Sequence, residues 1–321
     1  MTSVRDPGGM EGAASDGGFV LLVPWELEHA GGVNQVVMNL YDRMEEDVPG
    51  RARVLINSWD FRRPWDGCVN GRRTRRWRFR EPLPRSRRLR GTLGFLVSLV
   101  PSMGTLFLWL KRENVHTVNA HYPGIWLLPF AILRRTVRRP RVLLVSLHGW
   151  DLQTAKRTRG PRRWLWVQLL RGADRVVPCS QALARETRTA FPQVAGRVEA
   201  VVNGVDVSRV RECGPQPGRI SELAKRGRRY IACVATFEWK KGQDVLLEAF
   251  ARLAGEWSGI DLVLVGRTSD RLDALRAQAE GLGLSDRVLF LTDLPHPESQ
   301  SVIRDALLLA LPSRYEPFGI V

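Results

Sequence analysis

Cysteine is scarce and unpatterned in this chain of 321 residues: four thiols, at positions 68, 179, 213 and 233, with no Cys-x-x-Cys pair. That excludes a disulfide scaffold and a zinc ribbon, and it fits a reducing compartment. The five histidines show no metal-ligand interval. The complete Gly-x-Gly-x-x-Gly string of dinucleotide binders is missing too. Residues 1–18 hold Gly, Ser and Asp but no apolar run before a cleavage site, so they are expected to form a loose tail rather than an export signal. What is present in quantity is apolar residue, 44% of the chain, enough to fill the cores of two ordinary domains.

Positive charge is abundant and unevenly placed. The net charge is +16, yet residues 206–321 carry 16 basic and 16 acidic side chains, so the excess belongs to residues 1–205. Residues 51–90 hold 14 Arg against 3 acids, and residues 134–171 hold 11 basic side chains against Asp151 alone. Such runs are commonly solvated loops. Read functionally, they attract phosphate, and nucleic acid, anionic lipid and acidic glycan all satisfy that chemistry.

Short apolar runs alternate with amphipathic stretches: Phe19–Val23, Val54–Ile56, Val115–Asn119, Val142–Leu147 and Arg175–Pro178 read as buried strands. The rhythm restarts at Tyr230–Ala235 and continues with helix Asp244–Leu253, strand Asp261–Val265, helix Asp270–Leu282, strand Val288–Leu291, helix Glu298–Ala306 and strand Leu307–Leu311. Continuous apolar strands between helices predict α/β domains with parallel sheets, here two of them, over 19–206 and 230–321. Residues 207–229, with Gly214-Pro215-Gln216-Pro217-Gly218, suit the connection. Residues 91–110 are free of charge and reach the length of a membrane span. Pro101, three glycines and basic flanks favour a buried or half-buried helix over an interfacial one, and an interfacial one over a span.

Four places carry chemistry. Gly31-Gly32, after the first strand and at the start of a helix, lets backbone and a helix N-terminus approach an anion. His148 follows Val142–Leu147 at a strand's carboxyl end, where open α/β sheets bind ligands, and His121 has the same kind of place after Val115–Asn119. Lys240-Lys241-Gly242 sits at a strand-to-helix turn, where a lysine can neutralise a diphosphate. At the end of the last strand comes Pro312-Ser313-Arg314-Tyr315-Glu316-Pro317-Phe318-Gly319-Ile320-Val321, where Glu316 can accept from sugar hydroxyls and Phe318, Gly319 and Ile320 offer backbone amides.

The string Pro-Ser-x-x-Glu-Pro-Phe-Gly-Ile-Val closely resembles the donor-site motif of family 4 retaining glycosyltransferases of GT-B fold, and other segments over about residues 19–321 fall into register. Gly31-Gly32 resembles the family's N-terminal glycine loop, and His148 matches its histidine that touches the donor sugar. Cys179-Ser180-Gln181 and Val202-Asn203-Gly204-Val205-Asp206 look like family strings, and Lys241 matches the lysine on the donor diphosphate. The resemblance implies two Rossmann-like domains with a cleft between them. It also implies transfer of a sugar from a UDP-, GDP- or ADP-sugar to a glycan or lipid-linked acceptor with retention of configuration. Glu316, His148 and Lys241 would be catalytic; Gly31, Gly32, Lys240, Lys241, Phe318, Gly319 and Ile320 would bind the donor. No Asp-x-Asp string occurs, and no metal, other cofactor or nucleic acid is expected. A cytoplasmic protein, peripheral at an anionic membrane through its basic first half, is the matching location. Two positions depart from the family. Thr236 stands where an arginine is usual, with Lys240 as a substitute, and a second carboxylate would fall three positions past Val321, so the second domain reads as incomplete. Both departures feed the competing reading of a non-catalytic GT-B protein that holds membrane, polysaccharide or RNA through its basic domain.

Overall fold

The computed structural model describes residues 17–27, 31–60, 63–83, 88–205 and 214–321. The expected tail, apart from Gly17 and Gly18, lies outside the described residues, as do Ala30 and 206–213. The chain divides into two compact units, Met1–Val201 and Val202–Val321.

In the first unit the apolar runs are too short for helices and form β1 (Gly18–Val23), β2 (Ala52–Asn57), β5 (Val115–His121), β6 (Val142–Leu147) and β7 (Arg175–Pro178). With β3 (Trp65–Val69) and β4 (Arg72–Trp77) they make one sheet of order β3-β4-β2-β1-β5-β6-β7, parallel except where β3 meets β4. Helices α1 (Gly32–Asp47), α2 (Arg88–Arg112), α3 (Leu128–Thr136), α4 (Trp150–Lys156), α5 (Gly160–Gly172) and α6 (Gln181–Ala190) intervene. Helix α1 presents Val37 and Tyr41 to Leu21, Val23, Val54 and Ile56 of β1 and β2. The chain leaves β1 toward β2 and returns on the other side as β5, so the order reverses between β1 and β5. Ligands of open α/β sheets bind beyond the strand carboxyl ends at such a point.

The hairpin β3–β4 corrects the reading of residues 51–90 as solvated basic loops. Its strands do not alternate apolar and polar residues, so the sequence pattern does not announce them. Arginines on and beside β4 are instead consumed inside the unit: Arg72 pairs with Asp42 at 2.7 Å, Arg75 with Asp66 at 2.6 Å, and Arg76 with Glu26 at 2.8 Å. Arg53 reaches Glu113 at 2.8 Å. Arg75 also lies 4.8 Å and 5.2 Å from the ring centres of Trp77 and Trp109, and Arg78 lies 4.4 Å from that of Trp59. A guanidinium over an indole face keeps its charge while shedding water, which lets these strands sit in the sheet. The uncharged stretch 91–110 is the body of α2, a half-buried helix: Phe95, Leu106, Trp109 and Leu110 are buried and the opposite face is bare.

The second unit holds β8 (Arg229–Val234), β9 (Ile260–Gly266), β10 (Val288–Thr292) and β11 (Leu308–Leu309) in the order β10-β9-β8-β11, all parallel. Alternate strand residues build two cores. Ile231, Cys233, Leu262 and Leu264 pack with Leu247 and Phe250 of α8 (Gln243–Leu253) and with Leu272 and Leu275 of α9 (Arg271–Gly281). Tyr230, Ala232, Val263 and Val265 pack with Ile220 of α7 (Gly218–Lys225) and Val302 of α10 (His296–Arg304). The sheet is therefore covered on both faces, as a parallel sheet requires. Helix α7 falls in the 207–229 stretch read as a connection; its Ile220 is fully buried in this unit, and the Pro-Gly before it opens a helix rather than a loose linker. In this sheet the order reverses between β8 and β11.

Candidate functional site

In the second unit, the loops that leave β8 and β11 at the reversal point are bound together. The first passes through a short 3-10 turn, Trp239–Lys241, to Gly242 at φ 71. A β-carbon on Gly242 would stand 2.1 Å from the Pro312 carbonyl oxygen, so glycine meets both the left-handed backbone and the contact with the second loop. Arg314 fastens them: its amide donates to the Lys240 carbonyl at 2.8 Å, and its guanidinium donates to both oxygens of Asp244 at 2.8 and 2.9 Å. That guanidinium holds the Asp244 carboxyl below the usual carboxylate range, against the pull of partial burial.

This bracing sets Lys241 Nζ 2.6 Å from Glu316 Oε2, although the two are 75 residues apart in sequence. Ser313 Oγ donates to the same oxygen at 3.0 Å. Gly319 follows at φ +80, a conformation glycine alone adopts freely, and its Cα faces the Glu316 side chain. Phe318, Gly319 and Ile320 are half-buried around it. Helix α8 begins beside Lys241 at Gly242, which has no side chain to cap it, and Asp244 in its first turn takes hydrogen bonds from the amides of Asp244 and Val245. A lysine and a helix N-terminus next to a carboxylate can divide an anionic ligand from its hydroxylated part. Lys240, by contrast, pairs with Glu238 at 2.7 Å, and Thr236 Oγ1 donates to the same carboxylate at 2.9 Å. Glu238 is held low by these two contacts despite its burial.

In the first unit, three sequence candidates stand beyond the carboxyl ends of β1, β5 and β6. Gly31 and Gly32 open α1; Gly31 is extended and exposed, and no described residue lies within 4 Å of where its β-carbon would be. The fold itself makes no demand for glycine there. Asn34 holds this loop, accepting from Trp25 Nε1 at 2.8 Å and donating to the Glu26 and Leu27 carbonyls. Trp25 meets Tyr122 edge-on, with ring centres 4.6 Å apart, and Tyr122 is itself left-handed at φ 54. Non-glycine residues in that conformation concentrate at functional sites.

His121 Nδ1 and His148 Nε2 are 3.0 Å apart, with rings stacked at 5.3 Å. Burial, reinforced by the neighbouring His148, lowers His121 well below the ordinary histidine value, and burial lowers His148 to about 4. Both rings are neutral at pH 7, so one hydrogen is shared between them. His121 Nε2 is buried with no partner. A buried N–H without an acceptor costs more than a bare lone pair, so the hydrogen of His121 sits on Nδ1 and points at His148. His148 then accepts at Nε2 and carries its own hydrogen on Nδ1. That nitrogen has no partner among the described residues, and it is an N–H donor suited to a ligand hydroxyl. Asp151 supports the turn beneath: fully buried, it accepts from the amides of His148 at 2.9 Å, Gly149 at 2.7 Å and Leu152 at 2.8 Å. Burial pushes its carboxyl up to about 6, against the pull of those amides.

These groups make unit stability depend on pH. The histidines are depressed in the folded state, so their contribution is present above about 6.5 and is lost as pH falls toward 4. Asp151 is raised, so its contribution is lost as pH rises toward 6. Two histidines outweigh one carboxyl, and the expected result is a lower melting temperature at pH 5 than at pH 7. In His148→Gln the drop shrinks. An equal drop in both proteins would remove the pair as its source.

The sequence reading named Glu316, Lys241, His148, Gly31 and Gly32. It did not find Arg314 or Asp244, which hold the first pair, or Asp151, Asn34 and Tyr122, which hold the others. The signal for Asp151 was its place three residues after a strand-end histidine, as the lone acid in a basic stretch.

Comparison with known proteins decides the family. The description "Glycosyltransferase Family 4" matches residues 30–209, and "Glycosyl transferases group 1" matches residues 219–321. The chain belongs to glycosyltransferase family 4. Among curated proteins, this family 4 chain is 32% identical over 160 residues to a D-inositol 3-phosphate glycosyltransferase of Nocardia farcinica, covering 48% of the chain and 36% of the relative. It is 27% identical over 220 residues to one of Corynebacterium urealyticum, covering 64% and 51%. The chain thus spans about a third to a half of the length of these relatives. Among solved structures, Anabaena HepE in complex with UDP aligns over 94% of this chain and 76% of its own, at 21% identity and a TM-score of 0.67. A UDP-forming α,α-trehalose-phosphate synthase from Burkholderia xenovorans aligns over 95% and 80%, at 13% identity and a TM-score of 0.69. At these identities the likeness establishes the GT-B fold.

Proposed function

We propose that the protein transfers a sugar from a nucleoside diphosphate donor to an acceptor hydroxyl with retention of configuration. The observation that carries this reading is the Lys241–Glu316 pair, held at the reversal point of the second sheet beside the N-terminus of α8. Lys241 and the helix amides receive the diphosphate as it departs, and Glu316 accepts from hydroxyls of the sugar. Phe318, Gly319 and Ile320 offer backbone to the donor. In the first unit, His148 is a neutral N–H donor suited to a hydroxyl, and the Gly31-Gly32 turn at the start of α1 is suited to an anion.

UDP-sugars are the first donors to try, since HepE was solved with UDP and with UDP-glucose. The acceptor is expected to be anionic: the curated relatives are named for an inositol phosphate, and the first unit carries the whole positive excess. A free polyol phosphate and a lipid-linked glycan share that chemistry. Thermal shift with UDP-, GDP- and ADP-sugars tests the reading. One of them should stabilise the protein, and failure of all three would overturn it. Lys241 and helix amides supply the positive charge a divalent ion gives elsewhere, so transfer should stay within about twofold in EDTA. A tenfold loss restored by magnesium would contradict this.

A further inference from the structure

We infer that the bare face of α2 is a docking surface for an anionic lipid bilayer, in which the helix lies parallel to the membrane plane. Leu93 is 63% exposed, Leu96 58%, Val97 71%, Val100 77% and Leu108 64%. At about 100° per residue these five and Gly104 fall on one arc of roughly 120°, directly opposite the buried Phe95, Leu106, Trp109 and Leu110. The helix therefore has two apolar faces, one packed in the unit and one without cover. Five aliphatic side chains at this exposure, on one continuous arc, are not the scattered surface apolars of an ordinary soluble protein.

The same arc ends in cations. Arg90 and Lys111 project from it at either end of the helix, both exposed and neither with an acidic partner among the described residues. No acid or carboxamide interrupts residues 91–110. Aliphatic side chains flanked by long cationic ones match acyl chains below and phosphate headgroups above, with the cations reaching up to the headgroups.

The alternatives fit less well. By length and composition the helix qualifies as a span. Spanning would strip Phe95, Leu106, Trp109 and Leu110 from the core, however, and leave Pro101 in lipid. A second copy of the chain would bring like charges together: across an antiparallel twofold contact Arg90 meets the partner's Lys111, and in a parallel one Arg90 meets its own equivalent. A protein partner would call for several aromatic anchors at the centre of the face, and the arc offers only the half-buried Phe107. The inference does not depend on the transfer chemistry.

The test sediments the chain with vesicles of phosphatidylcholine alone and with about 30% phosphatidylglycerol added. Binding is expected to the anionic vesicles and to weaken with salt. In L96E/V100E the bound fraction should fall about tenfold or more, while circular dichroism stays unchanged because both positions are exposed. R90Q/K111Q should lower binding to anionic vesicles and flatten its salt dependence. As a readout independent of these losses, the tryptophan of V100W should shift its emission to the blue on anionic vesicles. Four results would overturn the inference: no binding to anionic vesicles, equal binding to neutral ones, undiminished binding of L96E/V100E, or no shift in V100W. If light scattering finds a dimer that L96E/V100E converts to monomer without loss of vesicle binding, the face is a self-contact and the inference is wrong.

Discussion

Glu316→Ala should lower the rate of sugar transfer at least about tenfold, a loss of about 1.4 kcal/mol or more of transition-state stabilisation, while leaving the affinity for the bare nucleoside diphosphate intact or improved. The reason is the 2.6 Å contact between Lys241 and Glu316. A diphosphate must compete with the carboxylate for Lys241; removing Glu316 frees the lysine but takes away the acceptor for the sugar hydroxyls. Lys241→Ala should behave oppositely, weakening diphosphate binding about tenfold or more, in the range of a lost charge-assisted contact. Calorimetry with diphosphate and nucleotide-sugar, beside rate measurements, separates the two variants. If Glu316→Ala loses both ligands equally, the carboxylate only holds the loop, and the division of labour proposed for the pair fails.

Asp151→Ala should destabilise the first unit by about 3 kcal/mol or more. A fully buried carboxylate accepts from three amides, and its removal leaves those donors without partners, at about 1–3 kcal/mol each before relaxation. Asp151→Asn should cost less. Its oxygen can keep the bonds to Gly149 and Leu152, but its amide group then faces the His148 N–H as one donor against another. That substitution moves His148 without emptying the turn, so it should lower transfer more than its smaller loss of melting temperature suggests. Chemical denaturation of both variants checks the order. An alanine variant within about 0.5 kcal/mol of the parent would show that the amides find water instead.

If α2 docks to a membrane as inferred, the anionic acceptor and the enzyme meet at one surface, and the positive excess of residues 1–205 acquires a second use. Several of its arginines are engaged inside the unit, by Asp42, Glu26, Asp66 and Glu113, and those pairs already cancel in the net count. Net charge counted along a sequence therefore does not say which cations face outward. Arg90 and Lys111 are better guides because their place on the helix shows what lies beside them.

The sequence by itself determined the two α/β units, because strands buried on both faces must be continuous apolar runs. Val142–Leu147 and Arg175–Pro178 could be read to the residue. It also supplied the residue types of the proposed donor site, since a strand-end carboxylate and a turn lysine are local features. It could not yield the β3–β4 hairpin, whose arginines become strand residues only when acids from other segments pair with them and indole faces cover them. Nor could it show that α7 belongs to the second core, because a Gly-Pro-rich approach reads as a connection until Ile220 is seen buried. Tertiary structure alone decided the rest: that Lys241 and Glu316 touch, that His121 sets the hydrogen of His148, and which face of α2 is bare. Each of these is a relation between segments tens of residues apart, or between a helix and what covers it, and propensity and periodicity carry no information about such distances.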